Sequence, residues 1–573
     1  MISSLTHRAA LALGLLPLLP AQSQAPAQNA PEMATHDTTP TFSSATNLVQ
    51  VPVIVRDKQG HAIGTLKKED FHLFDKGKPQ VISKFSIEKR GVPQHALTAT
   101  QDAAISDKTA SSEKTASVMP DRFIAYLFDD VHLNASDLAQ VRNAASHQMA
   151  ASLQPTDRAA IFSTSGQTTL DYTDDRAQLL ATLLKLQPRS KLDSTRDCPP
   201  MTYYMADAIQ NRNDIQALAA AVADISSCAS LPPTTPVSQL EQMARTAAAR
   251  AIPQGDYETQ LALNTIRAVI RRSAAMPGER SIVLISPGFF LTNEFRHDES
   301  TIMDLAIRSN VRIAALDARG LYTDSTFDAS QVTYDLTATR IKSQYARESA
   351  NLDGDTLAEF ADATGGNFVH NTNDLESGLN RVAAAPEFVY MLGFVPQNLK
   401  YDGSFHGLKV SLADPSGLNT QARRGYYAPR KMSDPKEQAK QDIEEAVFSR
   451  EELHDIPVEL HTQFFKVDDD NAKLAVISRI DLRHLHYRKE EGRNRDDLTV
   501  ISVLFDRNGN YMSGYTKTLE MRLKDETLET KLRTPVTLKT SFDVKPGSYL
   551  LRLVVRDSEG QAMAAQNAVV EIP

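Results

Sequence analysis

The residues of this chain best suited to chemistry are two consecutive carboxylates, Asp129 and Asp130, followed closely by His132 and Asn134. They come directly after an apolar run, residues 123–128, that is typical of a fully buried strand. In an open α/β sheet, ligands bind outside the carboxyl ends of the strands. The pattern therefore predicts a ligand-binding position at this loop. The alternative is a solvated loop whose acidic groups only cap the helix that follows.

The elements around this loop repeat along the chain from residue 121 to about 386. A helix follows the loop, because apolar residues recur at helical spacing from Leu138 to Met149. Further strands are expected at 158–163, 168–172, 280–286, 311–317 and 367–369. Further helices are expected from Thr173 as N-cap and at 202–225, 238–251, 256–275, 299–309, 355–364 and 373–384, with 318–352 as a polar insertion. Strands that alternate with helices predict a mostly parallel sheet covered on both faces.

Several short sequence motifs in this region and around it resemble those of a known family. FDDVHL, TDDR, RSIVLISPG, ALDARGL and RRGYYAP are similar to an exported bacterial "VWFA-related" family, and the strand–acidic loop–helix unit resembles a von Willebrand factor A (VWA) domain. The resemblance covers roughly residues 47–430. It implies a VWA-like (Rossmann-like), doubly wound, mostly parallel α/β sheet, flanked here by β-sandwich modules.

The same resemblance implies a ligand set for a divalent cation such as Mg²⁺. The family uses an Asp-x-Ser-x-Ser loop, a threonine from a second loop and an aspartate after the fourth strand. In this sequence Asp130 matches the first aspartate, His132 and Asn134 replace the serines, Thr202 is the candidate threonine, and Ser286 stands in the last position. An imidazole nitrogen suits zinc or nickel better than magnesium. We therefore expect a degenerate metal-ion-dependent adhesion site in which magnesium binding is lost or weakened.

The N-terminus predicts export. Arg8 precedes a short apolar run and then small residues, which is typical of a signal peptide over 1–25. We therefore expect a periplasmic or secreted protein, without a transmembrane segment in the mature chain. Cys198 and Cys228 are the two cysteines, and an oxidising compartment permits a bridge between them. Two free thiols are the alternative.

The remaining chain divides by composition. Residues 26–46 are expected to be disordered, 47–90 to form a small β-module, and 91–120 to form a linker. Strands at 387–430 could complete that β-module. A helical connector is expected at 431–455, and an Ig-like or fibronectin-III-like sandwich at 456–573.

Composition and motifs argue against two classes of function, nucleic-acid binding and catalysis. A net charge of −9 on 573 residues argues against a general affinity for nucleic acid. No HExxH, P-loop or dinucleotide fingerprint occurs, so we expect no enzymatic activity. The expected function is protein or matrix binding at the cell envelope, through the rim that carries Asp130. The alternatives are a hydrolase with its site in the long loops 188–255 or 318–352, and a scaffold that binds no ligand.

Overall fold

The computed structural model describes residues 32–38, 49–58, 62–89, 120, 122–189, 198–229, 231–232, 234–321, 336–384, 388–396, 404–428, 435–448, 452–468, 470–560 and 562–573. The expected signal peptide lies outside these residues, as does almost all of the expected linker. The chain is a mixed α/β protein, and four of the five sheets among the described residues are antiparallel. No helix in this part of the chain is long and apolar enough to cross a membrane.

The strands, in chain order, are β1 (Met33–Thr38), β2 (Val49–Arg56), β3 (Phe71–Asp75), β4 (Lys78–Gln80), β5 (Lys84–Lys89), β6 (Arg122–Phe128), β7 (Asp157–Ser163), β8 (Thr169–Thr173), β9 (Glu279–Ser286), β10 (Val311–Asp317), β11 (Phe368–Val369), β12 (Phe388–Phe394), β13 (Phe405–Leu412), β14 (Asn419–Ala422), β15 (Gly425–Tyr427), β16 (Leu453–His454), β17 (Val458–Lys466), β18 (Ala472–Ile480), β19 (Arg488–Glu490), β20 (Arg493–Phe505), β21 (Tyr511–Leu523), β22 (Val536–Val544), β23 (Gly547–Asp557) and β24 (Met563–Ile572). The α-helices are α1 (Ala135–Ser152), α2 (Arg176–Leu183), α3 (Tyr203–Gln210), α4 (Ile215–Cys228), α5 (Val237–Ala274), α6 (Arg296–Arg308), α7 (Leu336–Thr364), α8 (Leu375–Ala383), α9 (Pro435–Phe448) and α10 (Asp525–Lys531).

A six-stranded sheet positions the candidate site. Its order is β11-β10-β9-β6-β7-β8, and every neighbouring pair is parallel except β7 with the edge strand β8. All seven residues of β6 are buried, because successive side chains enter different cores on the two faces. One core contains residues of α1, α2 and α8, and the other contains residues of α5, α6 and α7. Burial on both faces explains why β6 reads as an unbroken apolar run.

A separate helical core lies beside this sheet. It joins α3, α4 and the first half of α5 to Tyr345 of α7 and to Phe290, which follows β9. We call these helices the cap. The Sγ atoms of Cys198 and Cys228 are bonded, so a disulfide links the segment before α3 to the last residue of α4.

Three predictions for the cap and the segment that packs on it are wrong. The helix predicted at 202–225 is two helices, and Asn213, in the turn between them, has a positive φ of 52° that a continuous helix does not allow. The helices predicted at 238–251 and 256–275 are one helix, α5, which continues through Pro253 because buried residues on both sides hold it in place. The polar insertion predicted at 318–352 contains the first part of α7, which packs on the cap.

Strands from two distant parts of the chain share one small core. β2 pairs with β12 and β14, β12 with β5, and β13 with β3 and β15. Val51, Val53 and Val55 point into this core and are fully buried, as the period-two spacing of the valines predicts.

The C-terminal region consists of two antiparallel sheets around one core. The larger sheet has the order β1-β21-β20-β23-β24-β16, with β19 beside β20, and the smaller sheet has the order β17-β18-β22. α9 covers the outer face of the larger sheet. The disorder predicted for 26–46 is wrong at β1, which is ordered by backbone pairing with β21 and by an ion pair of 2.9 Å between Asp37 and Lys517.

The C-terminal region contacts the amino end of the six-stranded sheet. The turn between β20 and β21 contains Gly509, where a Cβ atom would lie 2.4 Å from the ring of Phe123. Arg158 Nε donates to the carbonyl oxygen of Arg507 at 3.0 Å. This contact leaves the carboxyl end of the sheet, where the candidate site lies, on the opposite side.

Candidate functional site

The carboxyl ends of the parallel strands bring the predicted residues to one edge. β6 ends just before Asp129, β9 ends at Ser286, and β7 ends at Ser163, just before Ser165. The register pairs Phe128 of β6 with Ile285 of β9. Parallel strands in register end together, so loops that are far apart in sequence meet here.

Asp129 is the centre of the group. Its side chain is 1% exposed, and both of its oxygens lie 2.9 Å from Nδ1 of His132. The Ser286 hydroxyl donates to Oδ2 at 2.6 Å, and the backbone N–H of His132 donates to Oδ1 at 3.3 Å. The His132 ring stacks on Phe289 with centroids 5.5 Å apart. Asp129 thus connects the loop after β6 to the end of β9.

The charges of this pair stabilise each other. Burial alone raises the pKa of Asp129, but the charge of His132 and the hydrogen bonds from His132 and Ser286 lower it below its ordinary value. Burial lowers the pKa of His132, but the charge and hydrogen bond of Asp129 raise it above its ordinary value, with Glu258 and Asp353 adding to the effect. Each charge therefore favours the other, so the two shifts favour a buried imidazolium–carboxylate pair over the neutral forms.

Asp130 has its own partner. Oδ1 accepts the backbone N–H of Ser165 at 2.8 Å, and Oδ2 accepts the Ser165 hydroxyl at 2.5 Å. Burial raises the pKa of Asp130 although the hydrogen bonds from Ser165 oppose this, and the neighbouring charge of Asp129 raises it further. Sequence reasoning missed Ser165; its position just after a strand parallel to β6 was the available signal.

Asn134 and Thr202, two of the predicted metal ligands, cap helices instead. The Asn134 side chain accepts the backbone N–H of Asp137 at 2.9 Å and is the N-cap of α1. The Thr202 hydroxyl accepts the backbone N–H of Met205 at 3.2 Å and is the N-cap of α3. Each satisfies an N–H group that a helix start leaves without a partner.

The residues present do not fit a divalent cation. Magnesium needs near-octahedral oxygen ligands with lone pairs directed at it. Here the oxygens of Asp129 and Asp130 accept hydrogen bonds from Ser286, Ser165 and His132, and His132 already supplies a positive charge. Across the described ranges, no three His, Cys, Asp or Glu side chains are grouped so that they could hold a metal ion. Asp129, His132 and Ser286 thus contact one another, and Asp130 contacts Ser165. Asn134 and Thr202 each contact the start of a helix.

The same geometry does not activate a nucleophile. A catalytic serine needs a base that accepts its proton, and a histidine usually supplies that base. Ser286 instead donates to Asp129, whose lowered pKa makes it a weak base, and Ser286 is fully buried. The Ser286 oxygen also accepts the backbone N–H of Gly288 at 2.9 Å. This arrangement suits a structural contact between two loops.

Comparisons with known proteins give weak likenesses. No family model matches the chain, and no curated protein matches it. Among solved structures, an aerotolerance-related membrane protein from Bacteroides fragilis NCTC 9343, carrying mutations to serine, aligns at 12% identity over 46% of this chain and 97% of that chain, with a TM-score of 0.21. The conserved hypothetical protein BatB from Bacteroides thetaiotaomicron aligns at 13% identity over 46% and 97%, with a TM-score of 0.22. Human COPII-coat protein Sec24c aligns at 9% identity over 81% and 45%, with a TM-score of 0.17. At these TM-scores none of the three carries an argument about this chain.

Proposed function

We propose that this chain is an exported VWA-type protein that binds a protein or matrix partner at the cell envelope without a metal ion. The sequence motifs that resemble the VWFA-related family support the assignment to a VWA-type protein. The parallel pairing of β11, β10, β9, β6 and β7, with helices on both faces, supports the doubly wound arrangement. The main support for a metal-free mechanism is the network of Asp129, His132 and Ser286. This network lies at the position that holds the cation in the family that the chain resembles.

A metal-bridged contact needs an accessible cation that a partner's carboxylate can reach. The side chain of Asp129 is 1% exposed, so a partner group cannot reach its carboxylate directly, and that of His132 is 16% exposed. In our proposal the internal charge pair takes over the structural role of the ion, because it fixes the loops after β6 and β9 in one arrangement. A surface held rigid before binding loses less entropy when the partner docks.

The proposed contact surface is the exposed rim around this network, near Asp130, His132, Asn134 and Thr202. Asn134 and Thr202 are exposed, and so is Arg189, whose backbone N–H donates to the carbonyl oxygen of Asp130 at 2.5 Å. Arg189 thus places a cationic side chain beside the loop after β6. A partner with a complementary acidic or hydrogen-bonding surface suits this rim.

The test isolates a partner from envelope extracts and then measures its affinity, as a purified protein, for the full chain. We expect the affinity to be the same in EDTA and in Mg²⁺. We expect Arg189→Glu to weaken it by about tenfold, which is about 1.4 kcal/mol. Lys539→Glu, which makes the same charge change on an exposed position of β22, is the matched control and should have no effect. Binding abolished by EDTA, or weakened equally by both variants, would contradict the proposal.

A further inference from the structure

The small β-module carries a positive charge, although the chain as a whole is negative. Its described ranges, 49–58, 62–89, 388–396 and 404–428, contain eleven lysines and arginines against six aspartates and glutamates. The whole chain has a net charge of −9. A module whose charge opposes that of the rest of the chain indicates an anionic partner for that module.

Four exposed lysines surround the hairpin of β3 and β4. They precede β3, occupy the turn and begin β4, and they are Lys67, Lys68, Lys76 and Lys78. No ion pair joins any of them to a carboxylate in the ranges that the structure describes. Their charges are therefore available to an anion from outside the chain.

The carboxylates of the same hairpin neutralise this surface only in part. Asp75 is 7% exposed, and its Oδ2 atom accepts the Tyr426 hydroxyl at 2.8 Å inside the module. Asp70 is half-buried, and its Oδ2 atom accepts the backbone N–H of Lys67 at 2.7 Å. Glu69 is the one exposed carboxylate between residues 67 and 81. The surface of the hairpin is thus positive.

The hairpin also exposes apolar side chains among its lysines. Phe71 and Leu73 point into the core, so Phe74, the next residue of β3, points to the opposite face. Pro79 of β4 is paired with Phe74 on that face, and Val81, two residues after Pro79, is 70% exposed.

Positive charge borders this apolar face on two sides. Lys409 of β13 is exposed and is paired with Phe74, so it lies on the same face. On the other side, a groove of about 200 Å³ is lined by Lys68, Phe74 and Pro79, among others. We use the term basic face for the surface formed by Lys68, Phe74, Lys78, Pro79, Val81 and Lys409.

We propose that the basic face binds the surface of a membrane that contains anionic phospholipid. Lysines beside such a surface are attracted to its phosphate groups, and exposed apolar side chains enter the boundary between headgroups and acyl chains. A soluble polyanion would use the lysines but would gain nothing from Val81. The exposed apolar residues therefore favour lipid as the partner.

Membrane binding by this face leaves the rim free for its own partner. The small β-module packs beside the amino end of the six-stranded sheet, because its core includes Ile307, near the end of the helix that leads into β10. In addition, Gln421 Nε2 donates to the carbonyl oxygen of Gly365, just before β11, at 2.9 Å. The rim lies at the opposite, carboxyl end of the sheet.

The experiment measures binding of the full chain to phosphatidylcholine vesicles with and without about 30% phosphatidylglycerol, by co-sedimentation. We expect binding only to the anionic vesicles, and we expect about 1 M salt to remove it, because the Debye length falls to about 3 Å. Lys68→Gln combined with Lys78→Gln should weaken binding about thirtyfold, or about fivefold for each lysine. The matched control combines Lys466→Gln with Lys539→Gln, at exposed positions of β17 and β22, and should leave binding unchanged.

A fluorophore at residue 81 separates lipid from a soluble polyanion. The two native cysteines are bonded to each other, so Val81→Cys provides a single reactive thiol for a polarity-sensitive label. The emission of the label should shift to shorter wavelengths on anionic vesicles and should not shift with dextran sulfate.

Three results would overturn the proposal. The first is a wild-type chain that does not bind anionic vesicles. The second is equal weakening by the two pairs of lysine substitutions. The third is binding to vesicles and to dextran sulfate alike without a shift of the label, which would assign a soluble polyanion to the basic face.

Discussion

Removing the imidazole of the rim network should destabilise the α/β region strongly. In His132→Ala, the buried carboxylate of Asp129 loses its positive partner and keeps the Ser286 hydroxyl and the backbone N–H of residue 132. Breaking a buried ion pair by removing one partner costs about 3–5 kcal/mol. Because two hydrogen-bond donors to Asp129 remain, we expect the free energy of unfolding to fall by about 3 kcal/mol, the lower end of this range. For a region of this size the unfolding midpoint should fall by about 6–12 °C.

An exposed pair on the neighbouring helix provides the control. His147 of α1 lies 3.2 Å from Glu376, and the two side chains are 70% and 51% exposed. Exposed ion pairs contribute about 0–1 kcal/mol, so His147→Ala should change the unfolding midpoint little. The assay is thermal and urea unfolding of the full chain, followed by circular dichroism.

The pH dependence of the same variant tests the charge states. The pKa of His132 is raised above 6.5 in the folded chain, so its contribution is complete below about pH 6.5 and is lost as the pH rises through the folded value. The pKa of Asp129 is lowered below 3.8, so its contribution is present above about pH 4 and is lost as the pH falls through the folded value. Burial raises the pKa of Asp353 to about 7, although the charge of His132 opposes this rise. Asp353 therefore also titrates at a higher pH in His132→Ala, and part of the pH dependence above neutral comes from this residue.

The stability difference between wild type and His132→Ala should therefore be largest between these limits and should shrink above neutral pH. A variant as stable as His147→Ala, or a stability difference that does not change with pH, would refute the reasoning.

Other perturbations test the packing that holds the site. Arg122→Ala should cost about 3–5 kcal/mol in urea unfolding, because it leaves the fully buried carboxylate of Asp157 without the guanidinium that donates to it at 2.9 and 3.2 Å. Reducing the disulfide between the segment before α3 and the end of α4 should lower the stability of the cap by about 3–4 kcal/mol, given a separation of 30 residues, and the unreduced chain should show no reactive thiol. Gly255→Ala should destabilise α5 by about 1–2 kcal/mol despite the better helix propensity of alanine, because its Cβ would lie 2.1 Å from the ring of Tyr203; a stabilised variant would contradict this packing.

Patterns of apolar residues in the sequence predicted the strands whose faces are covered by other parts of the protein. The apolar run of β6 and the alternation of Val51, Val53 and Val55 both reflect which faces are covered, and the structure has strands at both places. β1 could not be found this way, because its order comes from pairing with β21, which lies about 480 residues away, and from the ion pair between Asp37 and Lys517. The break predicted between the helices 238–251 and 256–275 does not occur, because tertiary packing keeps α5 continuous through Pro253.

In the candidate site, too, some residues could be identified from the sequence and others could not. The sequence identified the loop with Asp130 and His132, and it put Ser286 at the end of a neighbouring strand. It gave no sign that Asp129 would be the residue that contacts both His132 and Ser286, because the family pattern begins at Asp130. The partner of Asp130, Ser165, lies on another loop and carries no motif. Asn134 could have been identified as a helix cap, since it stands directly before α1.

The most direct test of the metal-free rim is a calorimetric titration of chelator-treated protein with Mg²⁺ and Mn²⁺, with Asp130→Ala alongside. A cation that binds the folded chain must raise its stability. We predict no saturable heat and no rise in the unfolding midpoint of the α/β region for either ion. Saturable binding that stabilises the wild-type α/β region and is lost in Asp130→Ala would contradict the account, because it would show that the loop after β6 holds a cation after all.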